Sequence, residues 1–206
     1  MSTLKLIGTN LVTAVLTAAV VSTFWLVYFQ QQKQPQPPGK VLTETAEPPG
    51  ESELVLGPSG LAIPVAGVKT ADLIDTYEQA RGGGSRVHDA IDIMAPHGTP
   101  VIAAAPGTVE KLFYSRGGGG VTAYIRSEDR RWIYYYAHMQ GYAPGLAEGK
   151  KVARGDRIGT VGSTGNANPE GPHLHFAVHR VEPGDDWHGG TPVNPYPLLA
   201  RRKAGG

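Results

Sequence analysis

A short stretch near the C-terminal end of the chain has the pattern of a β-strand with two histidines on one face: Gly171-Pro172-His173-Leu174-His175-Phe176-Ala177-Val178. Side chains two positions apart on a strand point to the same side and lie about 6.5 Å apart. His173 and His175 can therefore address one centre, with one ring binding a metal ion and the other contacting what the metal holds. The structural alternative is a pair of histidines on a solvated strand face.

The composition around this strand is that of a β-rich, loop-rich domain. Of 206 residues, 28 are glycine and 17 are proline, and helical patterns are scarce after residue 85. This length predicts one domain with appendages. The chain has no cysteine, so any metal site must use His, Asp or Glu. A net charge of +1, with no basic block in the folded part, argues against nucleic acid as a partner.

Short strands separated by glycine and proline are predicted from Val87 onward. They cover residues 90–94, 100–104, 107–114, 121–126, 132–138, 157–162 and 174–180. Four glycines, residues 117–120, are predicted to form a hairpin loop. Neither this run nor Gly162-Ser163-Thr164-Gly165 has the ending and the following helix that a phosphate-binding loop requires. The pattern as a whole predicts a mostly β fold.

The segment before these strands is predicted to enter the domain as an edge segment, residues 61–68, and then to form one helix. Thr70 has the character of an N-cap. Apolar residues follow it at helical spacing: Leu73, Ile74, Tyr77 and Ala80. Three glycines, residues 82–84, end the predicted helix.

Residues 1–29 are predicted to be a short cytoplasmic stub followed by a transmembrane signal anchor. The 24 residues 6–29 carry no charged side chain, and at about 1.5 Å per residue they can cross a hydrocarbon core of roughly 30 Å. Lys5 precedes the run, which indicates a cytoplasmic N-terminus. The end of the run offers no small-residue cleavage site, so a retained anchor is favoured over a cleaved signal peptide.

Residues 30–60 are predicted to be a proline-rich linker, and residues 61–206 the folded domain. A polar, proline-rich composition cannot bury a core and favours an extended, semi-rigid chain. The linker would hold the domain away from the cytoplasmic membrane, on its outer side, in the periplasm or the cell-wall zone.

A second candidate cluster is His88-Asp89-Ala90-Ile91-Asp92. Positions four apart on a straight strand are separated by about 13 Å, too far to share a metal whose bonds are about 2 Å long. If His88 and Asp92 are both ligands, His88 must therefore lie on a turn or bulge that folds back. The glycines before it make such a bend easy.

A third candidate is His138, which ends an aromatic strand. Three protein ligands and an open position for water form the catalytic zinc arrangement. His88, Asp92 and one histidine of the strand pair would supply such a set. The other histidine of the pair and His138 could then act as a base and as a donor to a developing oxyanion. The remaining histidines have no partner pattern and are predicted to be surface residues: His97, His179 and His188.

Taken in order, these motifs resemble the lysostaphin-type (LytM-like) zinc endopeptidases, which cut peptidoglycan cross-links. The resemblance spans about residues 67–199 and rests on His88-x-x-x-Asp92, Ala95-Pro96-x-Gly98-Thr99-Pro100-Val101, Ala105-x-Gly107-x-Val109, Tyr136-Ala137-His138-Met139, Gly159-x-Val161-Gly162-x-Thr164-Gly165 and His173-Leu174-His175-Phe176. It implies that one zinc ion is held by three residues: His88, Asp92 and His175. It implies that His138 and His173 are the catalytic pair, and that the fold is a twisted antiparallel sheet with a substrate groove across it.

Two features depart from the family pattern. Ala90 stands where the family usually has glycine, and the loop of residues 166–171 before the last motif is somewhat long, which would reshape one groove wall. Some family members have lost ligands and serve as activators or scaffolds, whereas all five site residues are present here.

The leading hypothesis is a membrane-anchored zinc endopeptidase that acts on the peptide stems of peptidoglycan. The alternatives are a non-catalytic wall-binding or regulatory module, and a peptidase whose groove is opened by an unknown protein regulator.

Overall fold

The main element of the described chain is one antiparallel β-sheet of nine strands, which confirms the predicted mostly β class. The structure is a computed structural model that describes residues 54–84 and 86–200. The predicted membrane anchor, residues 6–29, lies outside these ranges, as does most of the predicted linker. Within the described ranges, no helix is long and apolar enough to cross a membrane.

The strands alternate with short turns, as the spacing of glycine and proline predicts. In chain order they are β1 (Ala80–Arg81), β2 (Arg86–Val87), β3 (Ile91–Met94), β4 (Pro100–Ile102), β5 (Gly107–Ser115), β6 (Gly120–Ser127), β7 (Trp132–Tyr142), β8 (Lys151–Val152), β9 (Arg157–Val161), β10 (His173–Arg180) and β11 (Thr191–Val193). All seven predicted strands are present with small shifts at their ends. The additional strands are too short to show a period of two. One short helix, α1 (Tyr196–Leu199), follows β11.

Strand β7 lies at the centre of the sheet. The order is β11-β10-β7-β6-β5-β8, with β3 paired to β10 and with β9 connecting β4 to β7. The predicted glycine hairpin joins β5 to β6, and the last pair before the turn is Ser115 with Gly120. Residues 61–68, predicted as an edge segment, contact the sheet through a bridge between Val65 and Val101.

The two faces of β10 have different surroundings. Leu174, Phe176 and Val178 are at most 1% exposed and pack in the core. Burial of each such side chain contributes about 1.5–3 kcal/mol to stability. Because successive side chains alternate across a strand, His173 and His175 point to the opposite face. The core therefore fixes the direction in which both histidines project.

The predicted helix after Thr70 is wrong. The chain makes a single 3₁₀ turn, Thr70–Asp72, and has no regular structure from there to β1. Ile74, a member of the predicted apolar stripe, is 63% exposed. The Asp75 carboxylate accepts a hydrogen bond from the N–H of Tyr77 at 3.2 Å. Such local bonds between a side chain and the backbone favour turns over helix, which explains the error.

Candidate active site

Three side chains meet on the polar face of the sheet: His88, Asp92 and His175. The pairing of β3 with β10 puts Asp92 opposite His175. His88 Nε2 lies 3.0 Å from Asp92 Oδ1 and 3.0 Å from His175 Nδ1. His175 Nδ1 lies 3.2 Å from Asp92 Oδ1. Tetrahedral zinc with bonds of about 2.1 Å separates its ligand atoms by about 3.4 Å. The three atoms therefore fit one face of such a site.

His88 reaches this cluster because the chain bends sharply between β2 and β3. Asp89 has a φ of 55°, a left-handed conformation that aspartate adopts more readily than most residues. The predicted fold-back of His88 is present, although the left-handed residue is Asp89 itself. Ala90 is fully buried and is not left-handed. Alanine therefore fits at the position where the resembling family usually has glycine.

Thr76 holds two members of the cluster in place. Its carbonyl oxygen lies 2.9 Å from His88 Nδ1, and its hydroxyl accepts a hydrogen bond from the N–H of Asp92 at 3.0 Å. Because a carbonyl only accepts, His88 carries its proton on Nδ1 and presents the Nε2 lone pair to the cluster. This is the tautomer in which Nε2 can bind a metal. Thr76 lies within the wrongly predicted helix, and no local sequence signal identifies its role.

His138 and His173 lie beside the cluster, with their ring centroids 5.0 Å apart. His138 Nδ1 lies 2.8 Å from the carbonyl oxygen of Thr164, and His173 Nδ1 lies 2.7 Å from that of Gly171. Each ring therefore carries a proton on Nδ1 and can accept another at Nε2. His173 Nε2 lies 3.7 Å from Asp92 Oδ1. The structure thus brings together all five residues that the sequence predicts as site residues.

The backbone of His138 is itself unusual. Its φ is 59°, and its N–H donates a hydrogen bond to the carbonyl oxygen of Gly119 at 2.7 Å. A left-handed conformation costs an L-residue about 1–2 kcal/mol. Such a conformation persists only where the surrounding structure enforces it. The position of this ring is therefore set by its backbone as well as by its side-chain contacts.

The charge state of the site follows from burial and hydrogen bonding. Burial opposes ionisation of Asp92, but its interactions with His175 and His88 outweigh this effect and hold the pKa of Asp92 well below its usual range. Burial lowers the pKa of His138 to about 4, against the opposing effect of the Thr164 carbonyl. Burial also lowers the pKa of His175. At neutral pH, Asp92 is a carboxylate while His138 and His175 are neutral. These are the forms that bind metals and accept protons.

The five residues line a cleft of about 380 Å³. Its other walls are formed by Arg81, Val87, Asn166, Ala167 and Asn168. The loop that is long for the resembling family therefore contributes to one wall, as expected. Arg81 Nη2 lies 2.5 Å from Asp92 Oδ2. Arg81 could not be predicted from the sequence, because nothing in the local pattern shows that the β1–β2 hairpin folds over the cluster.

A row of aromatic rings leads away from the cluster across the same face of the sheet. Tyr135 meets His175 edge-on at 5.8 Å between ring centroids. Tyr124 follows at 4.5 Å from Tyr135, and Trp187 at 4.7 Å from Tyr124. Phe113 borders the far end, 5.6 Å from Trp187. These rings form a floor along which an extended substrate could lie.

The remaining histidines take no part in the cluster. His97 is exposed and lies 3.2 Å from the Ser163 hydroxyl, and His188 is also exposed, as predicted. His179 is half-buried, with Nδ1 3.3 Å from the carbonyl oxygen of Gly189. The prediction of a surface position is therefore wrong for His179, because the loop after β10 folds back onto it.

Comparisons with known proteins identify a family and several relatives. The family model described as Peptidase family M23 matches residues 86–195. The L-Ala--D-Glu endopeptidase of Bacillus subtilis (strain 168) is 36% identical over 130 residues, which cover 60% of this chain and 38% of the relative. The peptidoglycan DD-endopeptidase ShyC of Vibrio cholerae is 39% identical over 94 residues, which cover 46% of this chain and 20% of the relative.

A solved structure has a similar fold. The catalytic domain of lysostaphin from Staphylococcus simulans matches with a TM-score of 0.53 and 29% identity, over 62% of this chain and 90% of that domain. The chain spans 38% and 20% of the length of the two curated relatives, less than half of either.

Proposed function

The chain belongs to peptidase family M23, and we propose that it is a zinc metalloendopeptidase that hydrolyses peptide cross-links of peptidoglycan. The predicted likeness to lysostaphin-type (LytM-like) peptidases is confirmed at the level of the family. The observation that carries the proposal is the triangle of donor atoms on His88, Asp92 and His175, with sides of 3.0–3.2 Å. Two further histidines, His138 and His173, stand beside it with Nδ1 directed at backbone carbonyl oxygens.

The donor set suits zinc. Two imidazole nitrogens and one carboxylate oxygen are ligands that zinc accepts, and three protein ligands are usual at a catalytic zinc site. His88 would bind through Nε2 and His175 through Nδ1, since these atoms face Asp92 Oδ1. When bound there, zinc would supply a Lewis acid that polarises the scissile carbonyl and a water molecule.

The remaining chemistry falls to His138 and His173. Each ring holds its own proton on Nδ1 against a carbonyl oxygen, so that Nε2 can accept the proton of the attacking water. The ring that has accepted this proton can then donate it to the leaving amine. The second ring stands 5.0 Å away between centroids. With Nε2 also protonated, it would donate a hydrogen bond to the oxygen on which negative charge develops.

The substrate class is proposed from the relatives and from the cleft. One relative is named a peptidoglycan DD-endopeptidase and the other an L-Ala--D-Glu endopeptidase. The cleft opens onto the aromatic floor described above, which suits an extended peptide. We take the peptide stems of peptidoglycan as the substrate.

The proposal includes an exported location. Residues 6–29 carry no charged side chain and are long enough to span a bilayer. A domain anchored in this way, through a linker of residues 30–60, would act outside the cytoplasmic membrane, where peptidoglycan lies.

The test is mass spectrometry of muropeptides after incubation of peptidoglycan with the zinc-loaded chain. The wild type should convert cross-linked muropeptides to shorter products, and His175→Ala should abolish the conversion. His97→Ala, which alters an exposed histidine outside the cluster, is the matched control and should retain activity. Cross-links that stay intact with the wild type and His175→Ala alike would contradict the proposal.

A further inference from the structure

Two glycine-containing loops with no assigned chemistry meet at His138. The first is the hairpin between β5 and β6, and the second is the Gly162-Ser163-Thr164-Gly165 turn after β9. Gly119 of the hairpin accepts a hydrogen bond from the N–H of His138, and Thr164 of the turn accepts one from Nδ1. The backbone and the ring of His138 are thus each held by a different loop.

The Thr164 hydroxyl fastens its loop to two strands at once. It accepts a hydrogen bond from the N–H of Val121 at 2.9 Å and donates one to the carbonyl oxygen of Met139 at 2.7 Å. Val121 and Met139 are paired at the point where the register between β6 and β7 shifts. The hydroxyl therefore bonds to backbone groups at an irregular point of the ladder, directly after His138.

The two loops approach so closely that only glycine fits between them. A Cβ atom on Gly165 would lie 2.1 Å from the carbonyl oxygen of Gly118, and one on Gly120 would lie 2.4 Å from the carbonyl carbon of Thr164. Both glycines are also left-handed, with φ of 77° and 65°. The N–H of Asn166 donates to the Gly118 carbonyl oxygen at 2.9 Å. The loop that carries the Thr164 carbonyl is therefore held against the hairpin both at Thr164 and at Asn166.

We infer that Thr164 is a positioning residue that selects the tautomer of His138. Its carbonyl oxygen keeps the His138 proton on Nδ1 and leaves the lone pair on Nε2, facing the cleft. Its hydroxyl holds that carbonyl in place through Val121 and Met139. The role in catalysis rests on the proposed function, whereas the selection of the tautomer does not.

The variants separate this role from simple loop stability. Thr164→Val has nearly the same shape but removes both hydroxyl hydrogen bonds, and Thr164→Ser keeps them. Ser163→Ala is the matched control in the same loop, because the Ser163 hydroxyl contacts the exposed His97. The measurements are the imidazole ¹⁵N NMR spectrum of the full chain, with His138 assigned by His138→Gln, and the kcat and KM for muropeptide hydrolysis.

We expect His138 in the wild type, Thr164→Ser and Ser163→Ala to carry its proton on Nδ1. Thr164→Val should show a mixture with the Nε2–H form, and its kcat should fall at least about tenfold with KM within twofold, because general base catalysis contributes about 10²–10⁴-fold.

Wild-type His138 with its proton on Nε2 would overturn the inference, even if the valine variant does not fold. A valine variant with the wild-type spectrum and kcat would also overturn it, as would equal losses in Ser163→Ala. If the wild type hydrolyses no muropeptide, the proposed function fails, and the NMR spectrum alone decides the role of Thr164.

Discussion

At the scale of single residues, the site depends on which nitrogen of each histidine carries the proton. Backbone carbonyl oxygens lie 2.7–2.9 Å from Nδ1 of His88, His138 and His173. His175 has no such partner among the described contacts and turns Nδ1 toward Asp92 instead. Three rings therefore present Nε2 to the site and one presents Nδ1. Histidine can in this way supply both metal ligands and a proton-accepting pair.

Arg81 is expected to support the metal centre through Asp92. Its Nη2 binds Oδ2 and also lies 3.1 Å from His88 Nε2, while Oδ1 faces His88 and His175. Because partners of this kind orient metal ligands, Arg81→Ala should weaken zinc binding by about 10- to 100-fold. The affinity can be measured by competition with a fluorescent chelator.

Arg131→Ala, which changes an exposed arginine far along the chain, is the control and should leave the affinity unchanged. A guanidinium that acted only through its positive charge would repel the ion, and its removal would tighten binding. Tighter or unchanged binding in Arg81→Ala would therefore contradict the expected role.

At the scale of elements, paired strands bring distant residues together. β10 pairs with β3 on one side and with β7 on the other, so His175 lies opposite both Asp92 and Ala137. The bend at Asp89 brings His88 to the site, and the glycine loops hold His138 there. A straight strand could not place either ring in this position. The aromatic row continues from β10 across β7 and β6 to the loop after β10.

The aromatic row is expected to bind substrate without taking part in the bond-breaking step. Trp187 contacts Tyr124 at 4.7 Å and is separated from His175 by two further rings. Trp187→Ala should therefore raise KM for muropeptides several-fold and leave kcat within about twofold, as loss of uniform binding does.

The steady-state kinetics of Leu56→Ala, which changes an exposed apolar residue outside the row, provide the control for this substitution. A Trp187→Ala variant with a reduced kcat and an unchanged KM would show that the row acts on the reaction step instead.

At the scale of the whole molecule, the sheet could be predicted because glycine and proline separate short apolar runs. Leu174, Phe176 and Val178 alternate with more polar positions, whereas β6 and β7 are buried on both faces over most of their length and show no such alternation. The helix after Thr70 could not be excluded, because its apolar spacing is helical and the competing Asp75 turn is a weaker signal. Thr76 lies within that segment. Its contacts with His88 and Asp92 form only in the folded chain, so the sequence does not indicate them.

The site residues could be predicted from motifs, whereas their supporting residues could not. The spacing of His88 and Asp92 requires a bend between them if they are to meet, but it does not show which residue makes the bend. Arg81 and Thr164 act through contacts with residues 11 and 26 positions away, Asp92 and His138. Contacts between residues this far apart in sequence form only in the assembled sheet. No periodic pattern in the sequence therefore indicates them.

The proposed function depends on one zinc ion bound by His88, Asp92 and His175, and the most direct test is the zinc content of the purified chain. Mass spectrometry of the metal should find one zinc per wild-type chain after dialysis. His175→Ala should hold close to none, and His97→Ala should hold as much as the wild type. A wild type that retains no zinc, or a His175→Ala variant that retains a full equivalent, would contradict the claim.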